Sequence, residues 1–142
     1  MIKVLLIDDF DETLESLAIV YSLHHGVEIV GRAHNAEEAW NILSSREVDF
    51  ISIDIQLGQE DGLNLCREIL NKYPDKFVVL CSVEASDVVQ SRAFEAGASY
   101  FLPKPIGLDD VRKVVDVYSN RNRRPPKDAS ADDLLRLLDL DR

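Results

Sequence analysis

The sequence predicts a doubly wound α/β domain, a parallel sheet with helices on both faces. Three observations predict it. Five short runs rich in Val, Ile, Leu and Phe alternate with segments of helical spacing, the pattern that gives right-handed crossovers and a parallel sheet. The third run, around Phe50, Ile51 and Ile53, is apolar without alternation, as a strand covered on both faces must be. The length of 142 residues and the 46% hydrophobic content suit one domain with a substantial core.

Taken in order, the first strand is "IKVLLID" (2–8). A helix over about 11–25 follows, with Leu14, Leu17, Ala18 and Tyr21 on one stripe and Gly26 as its C-cap. After the second strand, "VEIVGRA" (27–33), Asn35 caps a helix that repeats Ala36, Ala39, Trp40 and Leu43. The third strand, "DFISID" (49–54), ends in Asp54 before a polar, Gly-punctuated loop. The third helix, about 62–72, buries Leu63, Cys66, Ile69 and Leu70 and is closed by Pro74. "KFVVLCS" (76–82) is the fourth strand, and the fourth helix, about 85–96, ends at Gly97. "SYFLP" (99–103) and a helix over about 108–119 with Leu108, Val111, Val114, Val115 and Tyr118 complete a domain of residues 1–119. Residues 120–130, charged and holding two prolines, read as a linker. Beyond it, 131–142 read as a short Leu-rich helix with Leu134, Leu137 and Leu138 on one stripe, preceded by the capping-box spacing of Ser130 and Asp133. A helix this short needs something to pack on.

Charge and composition exclude several function classes. A net charge of −10 argues against direct nucleic-acid binding, which needs concentrated Lys and Arg, and favours attraction of divalent cations. No apolar run approaches a membrane span and the N-terminus lacks a signal-peptide pattern, so a soluble cytoplasmic protein is expected. Cys66 and Cys81 lie in apolar segments without C-x-x-C spacing and read as buried thiols. His24, His25 and His34 show no zinc-site spacing.

In a doubly wound sheet, ligands belong at the C-terminal ends of the strands. Asp8 and Asp9 close the first strand, Asp54 the third and Ser82 the fourth, and the fifth leads into Lys104 and Pro105. Three carboxylates brought together repel one another unless a positive group sits among them. Mg²⁺ resolves this, since it takes one or two carboxylates, keeps waters and favours phosphate oxygens. Lys104 supplies a second positive charge. The set suits acceptance of a phosphoryl group, with Asp54 as nucleophile and the cation, Lys104 and Ser82 neutralising the transferring oxygens.

These residues also carry a resemblance. "LLIDD", "DIQLGQEDG" in the place of a D-x-x-[ML]-P-x-x-x-G pattern, "VLCSVEA" and "GASYFLPKP" fall in the order and spacing of a response-regulator receiver domain. Residues 2–118 resemble that family as a whole. The resemblance implies a flavodoxin-like sheet in the order 2-1-3-4-5 and phosphorylation of Asp54 by a histidine kinase or phosphotransfer protein. It implies Mg²⁺ on Asp9, Asp54 and the backbone carbonyl of Gln56, with Asp8 acting through water. It further implies that Lys104 pairs with the phosphoryl group, that Ser82 and Phe101 form a switch, and that Lys104–Pro105 is cis. Gln56 and Glu84 occupy positions that tune phosphate lifetime, and the face of the fourth helix, fifth strand and fifth helix is the expected site of a homodimer or partner contact. Departures are Gly58 in place of Pro, expected to loosen the loop after the acceptor, Phe101 without a Tyr hydroxyl, and Pro103, tolerable at a sheet edge.

Other readings stay open on the residues. The chain could be the N-terminal receiver part of a longer regulator with a DNA-binding or enzymatic output. A Mg²⁺-dependent aspartyl phosphatase of the haloacid-dehalogenase type expects D-x-D, whereas Gln56 follows Asp54 by two. A flavodoxin-like electron carrier expects hydroxyls and donors after the first strand, where "DDFDET" is acidic.

Overall fold

The computed structural model describes residues 1–121. The Leu-rich segment 131–142 and all but the first two linker residues lie outside the described residues. Twelve elements run β1 (Ile2–Ile7), α1 (Asp11–Ser22), β2 (Val27–Ala33), α2 (Ala36–Ser45), β3 (Phe50–Asp54), β4 (Gln56–Leu57), β5 (Glu60–Asp61), α3 (Gly62–Lys72), β6 (Phe77–Ser82), α4 (Asp87–Glu95), β7 (Tyr100–Pro103) and α5 (Leu108–Asn120). The five long strands pair in parallel in the order β2-β1-β3-β6-β7. Leaving out the small β4–β5 hairpin, this is the expected order 2-1-3-4-5.

Successive strand residues face opposite sides of the sheet, so each strand feeds two cores. Leu5, Ile7, Ile51, Ile53, Val78 and Leu80 join the layer that also holds residues of α2, α3 and α4, while Val4, Leu6, Phe50 and Val79 pack with α1 and α5. Each such side chain contributes about 1.5–3 kcal/mol by leaving water. The second layer is braced by aromatic rings: Phe50 stacks on Phe77 at 5.2 Å, and Tyr118 of α5 meets both edge-on at 5.9 and 5.4 Å.

Local chemistry sets the helix ends. Asn35 accepts from the Glu38 amide at 2.9 Å, as its sequence position predicts, and Ser86 caps α4 in the same way. Gly97 follows α4 at φ +101, a left-handed conformation that favours glycine. Pro103 sits in β7, the sheet edge, where a missing donor is tolerated.

Three expectations change. The first helix stops at Ser22 and Gly26 is not its cap. The Nδ1 of His24 accepts from the Gly26 amide at 3.1 Å and the Gly26 carbonyl accepts from Ile2 at 2.7 Å, so this residue opens the β1–β2 pairing instead. Second, Leu63 and Leu70 only line the edge of the core, and Leu65 takes a buried place on α3. The third change concerns the loop after Asp54, which is a β-hairpin with Gln56 opposite Asp61 and Leu57 opposite Glu60. Gly58 supplies φ +65 at the first turn position, the Gly-first pattern of a type II′ connection, whereas Pro is held near φ −65°. Gly58 therefore shapes a defined turn rather than loosening a loop.

Candidate functional site

The strand order reverses between β1 and β3, and a crevice opens outside their C-terminal ends. Asp54 terminates a strand in which every residue is buried, so its backbone is rigidly held. Gly62 tightens the same point: its amide donates to the Ile55 carbonyl at 2.8 Å, and a Cβ there would lie 2.1 Å from the Asp54 carbonyl oxygen. Only glycine lets α3 begin this close to the end of β3. Asp61, passed over in the sequence, caps α3 by accepting from the Leu63 amide at 2.9 Å.

Side chains from three strand ends meet here. Ligand atoms of Asp8, Asp9 and Asp54 all lie within 4.8 Å of one another. Lys104, following β7, donates to Asp8 at 2.6 Å and to Asp54 at 2.9 Å. The second oxygens of these carboxylates accept backbone amides, Phe10 to Asp8 at 3.0 Å and Gln56 to Asp54 at 3.2 Å. Asp9 differs, because its Oδ1 is buried with no hydrogen-bond partner. A carboxylate oxygen left so is costly unless it meets a cation. The donor set of hard carboxylate oxygens beside that orphaned atom fits Mg²⁺.

Burial raises the Asp54 pKa above its ordinary value, the Lys104 ammonium opposing this and the Asp8 charge adding to it. Burial also acts against the Lys104 ammonium, but hydrogen bonds to Asp8 and Asp54 outweigh it and its pKa rises. The site therefore holds its lysine firmly charged. Beneath it the Cys81 thiol is pushed up to about 12 by burial and sits 3.4 Å from the Ser52 hydroxyl. Burial pushes Cys66 up to about 11. Both are inert core thiols, as the sequence predicts.

Ser82 ends β6 with its Oγ accepting from the Glu84 amide at 3.0 Å, which leaves the hydroxyl proton to donate. Phe101 is buried in the layer with Leu80 and Ala93, so its ring already points inward. The Lys104–Pro105 bond is cis, as expected. Together Asp9, Asp54, Gln56, Ser82 and Lys104 line one open cleft of about 730 Å³. Thr13 and Arg92 also line it. Nothing in the spacing of the chain reveals these two, because the turn of a helix toward a cleft depends on tertiary packing.

An open α/β sheet with an acidic crevice and a lysine at its switch point defines the class. A family model described as "Response regulator receiver domain" matches residues 4–116, and the chain belongs to that family. Among curated proteins it is 30% identical to the DNA-binding transcriptional activator DevR/DosR of Mycobacterium tuberculosis, the match covering 92% of this chain and 61% of that one. It is also 30% identical to a protein-glutamate methylesterase/protein-glutamine glutaminase of Anaeromyxobacter dehalogenans, over 92% of this chain and 42% of the relative. The chain thus spans about half the length of these relatives. Among solved structures, a two-component response regulator from Clostridium difficile superposes with a TM-score of 0.78 at 27% identity, covering 87% of this chain and all of that one. No described helix is long and apolar enough to cross a membrane.

Proposed function

We propose that this receiver domain accepts a phosphoryl group on Asp54 from a histidine kinase or a phosphotransfer protein in the cytoplasm, and signals through changed protein contacts. The observation that carries the reading is the convergence of Asp8, Asp9, Asp54 and Lys104, of which Asp9, Asp54 and Lys104 line one open cleft and Asp8 is buried against them. A carboxylate oxygen of Asp54 attacks phosphorus in line. The new P–O bond forms as the P–N bond to the donor imidazole breaks, and the imidazole leaves with a proton from solvent. Lys104 holds the nucleophile in place beforehand and the phosphoryl oxygens afterwards. Mg²⁺, held by Asp9, Asp54 and the Gln56 carbonyl, with Asp8 reached through water, would supply electrostatic neutralisation of the transferring oxygens.

Phosphorylation replaces one negative charge with about 1.5–2 and adds three acceptor oxygens. Ser82 turns its hydroxyl proton to one of them, and the buried ring of Phe101 is the inward partner of that state. The affected surface is the α4–β7–α5 face, the proposed site of a homodimer or partner contact. Gln56, which lines the cleft, and Glu84, whose amide donates to the Ser82 hydroxyl, tune loss of the phosphate. Arrangements of this kind become signals only when the two states differ in affinity for a partner.

A second reading makes the domain the input part of a longer regulator with a DNA-binding or enzymatic output. It is favoured by the extra length of the relatives, which reach well beyond the region they share with this chain. Intact mass after incubation with acetyl phosphate tests the primary reading. One phosphoryl increment that disappears in Asp54→Ala and on chelation of metal is expected. An increment that persists in Asp54→Ala would place the acceptor elsewhere.

A further inference from the structure

The cations of the cleft are unequally engaged. Lys104 is held by Asp8 and Asp54, whereas the side chain of Arg92, projecting from α4, is exposed and makes no hydrogen bond or ion pair among the described residues. Asp9, Asp54, Glu60 and Asp61 line the same cleft, yet the guanidinium is bonded to none of them. Its neighbour Ala93 is fully buried and pins α4 against the core, so the helix holds the guanidinium at the cleft wall.

We propose that Arg92 is a second phosphoryl-binding residue, which engages the group carried by phosphorylated Asp54 and so couples α4 directly to the modification. The proposal rests on Asp54 being the acceptor. Unmodified, the cleft offers Arg92 carboxylates that already have a role: Asp54 is matched to Lys104, Asp9 is suited to a cation, and Glu60 and Asp61 accept the Ala36 and Leu63 amides. A phosphoryl group adds charge and three oxygens, each accepting more than one hydrogen bond, so Lys104 and Ser82 leave acceptor capacity unused. A guanidinium presents a planar fork that fits such oxygens two at a time. The consequence is mechanical, since α4 also carries Val88 and Phe94, apolar and exposed at 61% and 51%. A tether from α4 to the phosphoryl group shifts a helix that presents contact surface.

The simplest competing role is electrostatic, because Arg92 lies in the last turn of α4, where a cation complements the helix dipole. That role acts whether or not a phosphoryl group is present. The test is the affinity of full-length wild type, Arg92→Gln and Arg92→Lys for the phosphoryl mimic beryllofluoride with Mg²⁺, beside Mg²⁺ affinity and thermal stability without the mimic. Arg92→Gln is expected to weaken mimic binding about tenfold, with Arg92→Lys in between and metal affinity and melting temperature unchanged. Amide exchange across 87–95 slows on mimic binding in wild type and not in Arg92→Gln. Equal mimic affinity in wild type and Arg92→Gln would overturn the role of Arg92 alone. A wild type that takes up no mimic at Asp54 would overturn the acceptor reading and this inference with it.

Discussion

Asp54 illustrates how a single residue carries both a liability and a use. Its buried carboxyl has a raised pKa, so the folded state binds its proton more tightly than the unfolded chain and stability falls as pH rises through that window. Neutralising the side chain without changing its shape should therefore help the metal-free fold. Asp54→Asn is expected to be about 1 kcal/mol more stable than wild type in chelator, and excess Mg²⁺ should narrow the gap by binding wild type more tightly. Urea denaturation with and without metal measures this, and a less stable variant in chelator would mean that the Lys104 pairing outweighs burial. The place of Asp54 in the cleft was legible in the sequence because a charged residue ending a largely apolar, buried strand needs a reason. Arg92 was not, since an arginine on a polar helix face looks the same whether it meets water or a cleft.

Elements are tied to one another mainly through their ends. Glu60 of β5 accepts from the Ala36 amide at 2.8 Å, linking the hairpin beside Asp54 to the first turn of α2. His34, just before α2, bonds Glu38 through Nδ1 at 2.7 Å and Asp11 of α1 through Nε2. The hydrogen bond to Glu38, then that to Asp11, raises the His34 pKa above its ordinary 6.5. A raised imidazole lends its stability in full below the unfolded-state value and loses it as pH rises through the folded one. With the ring partly exposed, the effect is discounted to about 0.5 kcal/mol. His34→Ala should thus cost stability at pH 6 and approach wild type at pH 8.5, read from melting temperatures at the two pH values. A constant difference would assign His34 to packing. At this scale strands and helices were legible to within a residue or two, because apolar periodicity is a local signal. The misjudged end of α1 and the unforeseen hairpin are the places where one side-chain hydrogen bond or one glycine dihedral decides, and periodicity does not report either.

Among the described residues, Lys104 reaches from beyond the edge strand β7 to Asp8 just past β1 and to Asp54 at the end of β3, closing the sheet at the rim of the cleft. Removing the ammonium would leave Asp8, 1% exposed, beside Asp54 with no compensating charge. Lys104→Met is expected to lose about 3 kcal/mol at pH 7, and the deficit should shrink on acidification toward pH 4.5, because burial raises the Asp54 pKa and a protonated Asp54 no longer needs the ammonium. Denaturant titrations at both pH values follow it, and a deficit that grew on acidification would contradict the account. The strand order itself followed from the resemblance and the alternation of elements; the two-layer core followed from strands without polar alternation.

Tyr118, near the end of α5, packs on Phe50 and Phe77, the first residues of β3 and β6. The described chain thus finishes near the end of the strands opposite the carboxylates. For protein engineering this makes the domain a plug-in unit. A reporter or effector joined after α5 starts from the end of the domain away from the acidic cleft, and any influence between the two must travel through the body of the domain.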